Sequence, residues 1–324
     1  MPGQVGGSRP VRREGGRRGL PRWAKLARTA VILLIILVLG WGVGLGVWTN
    51  SHIQHTAALS GAEDTPGTTY LVAGADLEDG GAQRTDTLML VHKADNGNTY
   101  LVSIPRDTLV DIPGKGKYKI NAAYAMGGPQ LLVKTIEQFT GLTVDHFVVI
   151  GFDGVTDMVD AVGHVNLCID QDVDDEKSGL KMTKGCHDVG GEQALAFVRA
   201  RYFDPRADLG RQERQQQFIS SMMKRAASPA VLLNPFAHVR LASASGRALL
   251  TDDDTGLVDV TRLGMAMRSA SNSGSAVPMP IDNPAFQTKH SGVAISTDDQ
   301  EIETFFSEIK DGTLDVEKAK KNAL

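Results

Sequence analysis

A cation and a carboxylate stand side by side at the end of a predicted strand. Tyr100–Ile104 is an apolar run typical of a buried strand, and Pro105, which cannot donate to a sheet ladder, ends it. Arg106 and Asp107 follow directly, at the kind of position where open α/β sheets place ligand chemistry. A guanidinium held against rigid backbone suits an anion, and phosphate is the first candidate. The alternative is a solvated turn, because most surface ion pairs contribute little.

Two more carboxylates flank the strands that precede this one. Tyr70–Ala73 and Leu88–His92 are predicted strands; Asp76 follows the first, and Asp86 lies just before the second. If the three strands are neighbours in one sheet, Asp76, Asp86 and Arg106 meet at one end of it. Carboxylate oxygens are the ligands that Mg²⁺ prefers, and the ion keeps open positions for phosphate oxygens. Taken singly, each aspartate is equally typical of a turn.

Strands and helices alternate along the chain, which predicts one layered α/β domain, a mixed β-sheet flanked by helices. Arg199 and Arg201 stand near the end of a helix, and a long polar helix carries Arg211 and four glutamines, a composition that also fits a solvated face. The predicted strands cover 70–73, 88–92, 100–104, 146–150, 165–169, 277–281 and 293–296, and the predicted helices cover 121–126, 130–139, 153–162, 191–200, 208–225, 254–267 and 297–310.

Charge is divided unevenly between the start of the chain and the rest. The net charge is −4 overall, yet residues 1–29 hold eight Lys or Arg and one Glu, so they carry about +7 and the remainder about −11. A globular part that is this acidic lacks the basic footprint of a general nucleic-acid-binding protein. We therefore expect no nucleic acid among the partners.

An apolar segment follows the basic tail. Ala30–Trp48 holds no charged residue, and its length of about 19 residues is close to what the hydrocarbon core of a bilayer requires. Because the basic flank comes first, the positive-inside rule places the N-terminus in the cytoplasm and the residues from about 50 onward outside the cell. A cleaved signal peptide is the alternative, but its apolar core would be shorter and a small-residue cleavage site would follow.

These patterns divide the chain into five parts. We expect a disordered basic cytoplasmic tail over 1–29, a single transmembrane helix over 30–49, an extracellular stalk over 50–68, the α/β domain over 69–312 and a C-terminal tail over 313–324.

Two cysteines, Cys168 and Cys186, fall in the part expected outside the cell. An even number of cysteines in an oxidising compartment favours a disulfide, and two free thiols are the alternative. A zinc site would need more cysteine or histidine at ligand spacing.

Seven segments, taken together, resemble the LytR-CpsA-Psr family of bacterial cell-envelope proteins. They lie in order between Thr69 and Met223, about half of the chain, and the short tail with one membrane helix is similar too. The cysteine pair and the Arg- and Gly-rich N-terminus resemble the actinobacterial branch. The segments are RTDTLML (84–90), VSIPRDTLVDIPG (102–114), KINAAYAMGGP (119–129), VDHFVVIGFDG (144–154), VDAVG (159–163), GEQALAFVRAR (191–201) and LGRQERQQQF (209–218).

The resemblance implies an activity and its partners. Members of this family transfer an anionic glycopolymer from an undecaprenyl-pyrophosphate carrier in the membrane lipid to peptidoglycan, usually to the 6-hydroxyl of N-acetylmuramic acid. The product is a phosphodiester, and the second product is the lipid phosphate. Two other functions remain open: a lipid-pyrophosphate phosphatase that uses water as the acceptor, and a non-enzymatic envelope-binding or regulatory protein. A G-x-S-x-G nucleophile motif is absent from the sequence, which disfavours an esterase.

The resemblance also implies roles for individual residues. Asp76 and Asp86 match aspartates that bind Mg²⁺, for which Mn²⁺ is the substitute, and we expect Asp86, Arg106 and Arg201 to act in catalysis. One departure weakens the assignment of Asp76, because Glu78 stands where the family motif often has an arginine. The residues that match contacts to the pyrophosphate and its head group are Arg84, Arg106, Arg199, Arg201, Arg211 and Gln215.

Overall fold

The computed structural model describes residues 22–75, 85–200, 208–288 and 291–322. The chain divides into two compact units, residues 1–44 and residues 45–324. In the described part of the first unit the chain is helix α1 (Arg22–Asn50), whose last turns belong to the second unit. Residues 28–50 of this helix have a mean hydropathy of 2.7 over an 18-residue window, and they are long and apolar enough to cross a membrane.

A seven-stranded mixed sheet organises the second unit. Its strand order is β1-β12-β7-β2-β3-β4-β13. The centre is an antiparallel meander of β2, β3 and β4, which β7 extends in parallel on one side and β13 in parallel on the other. The strands are β1 (Gln54–Thr56), β2 (Thr68–Ala75), β3 (Thr85–Lys93), β4 (Thr99–Ile104), β7 (His146–Gly151), β12 (Leu249–Asp252) and β13 (Ala276–Pro278).

Within the described residues, four antiparallel two-stranded ribbons lie outside this sheet. The first of them directly follows the Arg106–Asp107 turn. The ribbons pair β5 (Leu109–Ile112) with β6 (Gly116–Lys119), β8 (Val165–Ile169) with β11 (Gly185–Val189), β9 (Val173–Asp175) with β10 (Leu180–Met182), and β14 (Asn283–Gln287) with β15 (Val293–Ser296).

Helices cover both faces of the sheet. α2 is interrupted at Gly127 and Gly128, where the backbone is not helical and Gly128 has a positive φ of 67°, a conformation that favours glycine. The predicted split of this helix before Pro129 is thus confirmed. The remaining helices are α2 (Ala122–Thr140), α3 (Phe152–Val162), α4 (Gly191–Arg199), α5 (Asp208–Ala226), α6 (Pro229–Leu232), α7 (Pro235–Ala248), α8 (Leu257–Asn272), α9 (Asp299–Lys310) and α10 (Val316–Asn322).

Alternating side chains of the strands build two different cores. On one face, residues such as Leu88, Val102 and Phe147 pack against α2 and α9. On the other face, residues such as Met89 and Leu101 pack against α8. Because side chains alternate with a period of two, each strand contributes to both layers. The expected fold, a mixed sheet flanked by helices, is confirmed.

Both expected flanking segments differ from the structure. Residues 50–68 were predicted as a stalk, but β1 pairs in parallel with β12, and Ile53 and Ala58 are buried. Residues 313–324 were predicted as a tail, but α10 forms there and Leu314 joins the α2-side core. In both cases a few apolar side chains bury enough surface to hold a polar segment against the domain.

Candidate active site

Three strand ends meet at one edge of the central sheet. Ala75, at the end of β2, pairs with Thr85, at the start of β3. Leu88 of β3 pairs with Ile104, at the end of β4. Because these strands are antiparallel neighbours, the end of β2, the start of β3 and the end of β4 lie together. The predicted convergence of the segments before Asp76, around Asp86 and before Arg106 is therefore confirmed at the level of the strands.

Asp86 occupies an irregular position in this sheet. Thr87 pairs with Gly74, and the next pair joins Thr85 to Ala75, so Asp86 is the extra residue on β3. A bulge of this kind bends the strand and changes the direction of a side chain, and such bulges are frequent beside active sites. The regular alternation of β3 thus ends at the residue that the sequence marks for chemistry.

Two cations share one carboxylate directly after β4. The Nε atom of Arg106 lies 3.6 Å from an oxygen of Asp107, and the Nζ atom of Lys119 lies 2.8 Å from the other oxygen. The side chains of Arg106 and Lys119 are 23% and 25% exposed, so they are partly shielded from water yet open to a ligand. The turn thus presents two cationic side chains at this edge of the sheet, and cations of this kind favour an anionic ligand.

Backbone hydrogen bonds hold this turn from several sides. The carbonyl of Pro105 accepts from the backbone N–H and the hydroxyl of Thr108 at 3.0 and 2.7 Å. The carbonyl of Arg106 accepts from Asn121 at 3.3 Å, and the carbonyl of Asp107 accepts from Ile295 at 2.9 Å. These bonds fix the backbone that carries the two charged side chains, which is what pre-organised binding of a ligand requires.

Helix α5 is fastened to this edge by consecutive glutamines. Gln215 Nε2 donates to the hydroxyl of Thr87 at 2.8 Å, and Gln216 Nε2 donates to the hydroxyl of Ser103 at 3.4 Å. The amide oxygen of the next residue, Gln217, accepts from the backbone N–H of Cys168 at 3.2 Å. Three neighbouring side chains thus join one helix to β3, β4 and β8. The helix does not present these glutamines as a solvated face.

A buried arginine fixes the end of α4. Arg214 is only 8% exposed, and its Nη2 atom donates to the carbonyl of Ala200 at 2.5 Å. Ala200 caps α4 directly after Arg199, whose side chain is exposed. Arg214 therefore joins α5 to the end of α4, next to Arg199.

Cys168 and Cys186 form a disulfide in the β8–β11 ribbon. They are directly opposite each other across the two antiparallel strands, with their Cα atoms 3.9 Å apart. Since Gln217 bonds to Cys168, the cross-linked ribbon is joined to the same helix that carries Gln215 and Gln216. The predicted pairing of the two cysteines is present.

A cavity of about 630 Å³ lies close to the Arg106–Asp107 turn. Its walls come from the β5–β6 ribbon, the end of α2 and the start of α9, and they are mixed in polarity. Among the residues that line it are Val110, Lys117, Phe139 and Glu303.

Comparison with known proteins identifies the family to which the chain belongs. The sequence profile of the LytR_cpsA_psr family matches residues 48–293. The chain belongs to the LytR-CpsA-Psr family. It is 34% identical to the probable cell wall biosynthesis protein LcpB of Corynebacterium glutamicum, over 96% of this chain and 79% of that protein.

Two further relatives support the assignment. The chain is 40% identical, over 55% of its length and 58% of the relative, to the polyisoprenyl-teichoic acid–peptidoglycan teichoic acid transferase TagU of Bacillus mycoides. The crystal structure of TagV from B. subtilis superposes with a TM-score of 0.62 at 25% identity, covering 78% of this chain and 98% of TagV. The names of two of these relatives, LcpB and TagU, describe cell wall biosynthesis and the transfer of teichoic acid to peptidoglycan.

The structure places only part of the predicted site of this family member. Arg106, Arg199 and Gln215 are described together with their side chains, and for Asp86 and Arg211 the structure describes the backbone, in β3 and α5. Asp76, Arg84 and Arg201 lie outside the described residues. The roles of all eight residues as ligands of a metal or of a pyrophosphate remain predictions.

Several residues that shape the site were not chosen from the sequence. Thr87 and Ser103 are polar residues on one face of otherwise apolar strands, a signal that could have marked them as bonding partners. Gln216, Gln217 and Arg214 lie in the segment LGRQERQQQF, but the segment does not show which residues they contact, because their partners lie on distant elements.

One buried oxygen at this edge has the chemistry of a metal ligand. In the described part of the chain no three His, Cys, Asp or Glu side chains gather as a ligand group. However, the hydroxyl of Thr85 is fully buried beside Asp86 and has no hydrogen-bond partner among the described residues. Such an unsatisfied buried oxygen requires an explanation, and it is the kind of donor that a hard cation takes as a ligand.

Proposed function

We propose that this protein transfers an anionic glycopolymer from an undecaprenyl-pyrophosphate carrier to a muramic acid hydroxyl of peptidoglycan. The observation that carries the proposal is the pair of cations, Arg106 and Lys119, held on Asp107 at the sheet edge that also bears the bulge at Asp86. The name of TagU, a polyisoprenyl-teichoic acid–peptidoglycan transferase, supports this choice of donor and acceptor.

In this proposal the charged residues of the chain bind and orient the donor. Arg106 and Lys119 contact oxygens of the pyrophosphate, and Asp107 holds both cations in place. The family arginines Arg84, Arg199, Arg201 and Arg211 add guanidinium groups, which suit phosphate oxygens because they present two parallel donors.

The reaction is a phosphoryl transfer from the carrier to the acceptor. The hydroxyl oxygen of the muramic acid attacks the phosphorus that is attached to the glycopolymer, and the bond from that phosphorus to the bridging oxygen breaks. The lipid phosphate leaves with the electron pair of that bond, and the proton of the hydroxyl passes to a carboxylate of the site. Positioning and charge stabilisation dominate the catalysis of such reactions.

Asp76 and Asp86 are the residues that would hold Mg²⁺ or Mn²⁺. When bound, the ion would neutralise charge on the phosphate oxygens and stabilise the negative charge of the leaving group. In this proposal Asp86 provides a ligand from the bulge of β3. Asp76, the residue directly after β2, provides the other.

We also propose that α1 anchors the protein in the cell membrane, with the N-terminus in the cytoplasm and the α/β domain outside. The eight basic residues that precede the apolar span support this orientation. Protease added to intact protoplasts is expected to degrade the C-terminal domain. Protection of that domain from the protease would contradict the proposed orientation.

The test of the activity separates the proposed function from its alternatives. The full-length protein in proteoliposomes is incubated with a polyprenyl-pyrophosphate glycopolymer, Mg²⁺ and peptidoglycan, and both polymer attachment and lipid phosphate are measured. We expect the two products in equal amounts. Release of lipid phosphate with free glycopolymer phosphate and no attachment would indicate a phosphatase. Binding of the donor without either product would indicate a binding or regulatory protein.

A further inference from the structure

One stretch of the globular unit has a charge opposite to the rest. Residues 214–251 contain five Lys or Arg and no Asp or Glu. All other residues from position 30 onward carry about −16, since the chain totals −4 and residues 1–29 carry about +7. The stretch covers most of α5 and all of α6 and α7. Arg214 is buried, but Lys224 and Arg240 are exposed, so the surface of this stretch is basic and favours an anionic partner.

The same stretch exposes large apolar side chains. Leu232 is 57% exposed, Leu233 is 83% exposed and Phe236 is 78% exposed. α7 buries the small residues Ala237 and Ala244 toward the domain instead. This order reverses the usual pattern of a surface helix, which turns its large apolar side chains inward. Contiguous exposed apolar residues of this kind mark a site of interaction with a protein or a membrane.

A basic residue accompanies the apolar ones on α7. Arg240 lies one helical turn after Phe236 and is exposed, as is Val239. Residues four apart lie on the same side of a helix. Apolar side chains with arginine or lysine beside them are the combination by which interfacial helices bind anionic lipid surfaces.

Contacts within the second unit place the end of α1, the apolar helix, close to α7 and α8. The side chain of Asn50, the last residue of α1, accepts from the backbone N–H of Leu257 at 2.9 Å, so α1 ends against the start of α8. His52 lies against Gly246 near the end of α7. Val258, the second residue of α8, is 62% exposed. The end of α1 therefore lies beside the end of α7 and the start of α8.

We propose that α6, α7 and the start of α8 form a membrane-docking surface, consisting of Leu232, Leu233, Phe236, Val239, Arg240 and Val258, that rests on a bilayer containing anionic phospholipid. This proposal rests on the anchoring of α1 but not on the transferase activity. Docking fixes the height and tilt of the sheet over the bilayer, so that a ligand carried by a lipid reaches the same edge of the sheet each time.

A spin label tests the surface in the full-length protein. Cys168 and Cys186 are bonded to each other, so Leu233→Cys introduces a single reactive thiol for a nitroxide. The matched control is Gln300→Cys, an exposed position of α9 on the opposite face of the sheet. Both variants are reconstituted by α1 into vesicles of phosphatidylcholine, with or without phosphatidylglycerol, and the collision of the label with oxygen and with a water-soluble nickel complex is measured.

We expect the label at position 233 to become accessible to oxygen and protected from nickel in vesicles with phosphatidylglycerol, and less so in phosphatidylcholine alone. The label at position 300 should stay exposed to nickel in both. Adding Leu232→Asp and Phe236→Asp should return the label at position 233 to water without a change in melting temperature, because both side chains are exposed.

Three results would overturn the proposal. Equal nickel accessibility at positions 233 and 300 in anionic vesicles would show that the surface does not meet the lipid. Spin–spin broadening at position 233 that persists at high lipid dilution would assign the surface to a second copy of the chain. Failure of the protein to float with the vesicles in a density gradient would show that α1 does not anchor it, and the docking proposal would fall with the anchor. None of these results depends on turnover, so a failed transferase assay leaves the docking test intact.

Discussion

The two faces of the central sheet are held in different ways. The face toward α2 and α9 is packed with apolar side chains such as Leu88, Ile104 and Phe147. The face toward α5 and α8 is apolar in its middle, but at the site edge Thr87 and Ser103 bond to glutamines of α5. Apolar packing is not directional and contributes most of the stability, whereas hydrogen bonds fix distance and angle. The difference indicates that one face stabilises the fold and the other aligns the site.

The largest expected effect comes from emptying the apolar face. Phe147 is fully buried in β7, and Phe147→Ala should lower the free energy of unfolding by about 3–5 kcal/mol, because it loses the transfer energy of the ring and leaves a cavity. Denaturant titration measures this change. Well below the melting temperature, the turnover per folded molecule should be close to that of the wild type.

Phe286→Ala is the control for this variant, since Phe286 on β14 is 40% exposed and should cost far less. Equal losses at positions 147 and 286 would contradict the assignment of stability to the α2 face.

Arg106→Ala should have the opposite profile. The loss of one guanidinium that stabilises charge in the transition state should reduce turnover by at least ~10²-fold, equivalent to about 3 kcal/mol. The melting temperature should change little, because the side chain is partly exposed and its ion pair with Asp107 is long. Arg106→Lys should restore only part of the rate, since lysine is a point charge and not a fork. The measurement is the initial rate of lipid phosphate release alongside a thermal melt.

Lys181→Ala is the matched control, because Lys181 is paired with Asp174 on a ribbon outside the sheet and its side chain is 79% exposed. A wild-type rate for Arg106→Ala would remove Arg106 from the site. An early melt without a specific loss of rate would make its ion pair structural.

Much of the first face could be predicted from sequence, because burial leaves a local record. The apolar runs at 70–73, 88–92 and 100–104 mark the meander directly, and periodicity marks most of the helices. By contrast, α7 and β12 were not predicted, since α7 turns alanines inward and exposes Phe236, which conceals its period. β1 has the polar sequence QHT and three residues, too little for any pattern.

The second face depends on contacts between distant residues, which sequence patterns do not record. The bond from Gln215 to Thr87 joins positions 128 residues apart. The motif around Asp86 located that residue, but its position on a bulge follows from the pairing of β2 with β3. The polar helix α5 was equally compatible with a solvated face until its partners were known.

A smaller effect is expected from this polar face. Gln215→Leu removes the partner of Thr87 and should cost about 1 kcal/mol of stability, because a half-buried hydroxyl loses its hydrogen bond. Combining it with Thr87→Val should recover part of the loss, and a double-mutant cycle measures the coupling between the two side chains. If the bond aligns α5 with the site, the increase in the activation free energy of the reaction should exceed the loss in the free energy of unfolding. Strict additivity of the two variants would show that the bond contributes nothing.

The smallest effect concerns a histidine that is buried at the α9 side of the sheet. His92 is fully buried and bonds to Thr69 at 3.0 Å, and burial lowers its pKa, against smaller opposing effects of the Lys310 carbonyl and Asp95. A lowered pKa in the folded state means that the unfolded chain binds a proton first as the pH falls. The neutral ring of His92 therefore contributes its full stability above about pH 6.5, the pKa of histidine in the unfolded chain. This contribution is lost as the pH falls below that value.

His92→Gln should flatten this dependence. Denaturant titrations at pH values from 7.5 to 5.0 should give a shallower decline in the free energy of unfolding for the variant than for the wild type. Parallel declines would show that His92 does not contribute to the acid sensitivity of this face.

The pairing of β1 with β12 also imposes an order on biosynthesis. Gln54 pairs with Leu250, so the strand that leaves the ribosome first among those of the sheet must wait for one of the later ones. At translation rates of about 5–20 residues per second, the wait is roughly 10–40 s. Until β12 arrives, the outer edge of β7 is also unpaired, and such edges are templates for aggregation. The nascent domain is therefore most exposed to misassembly during this interval, when the meander is complete and β12 has not yet been made.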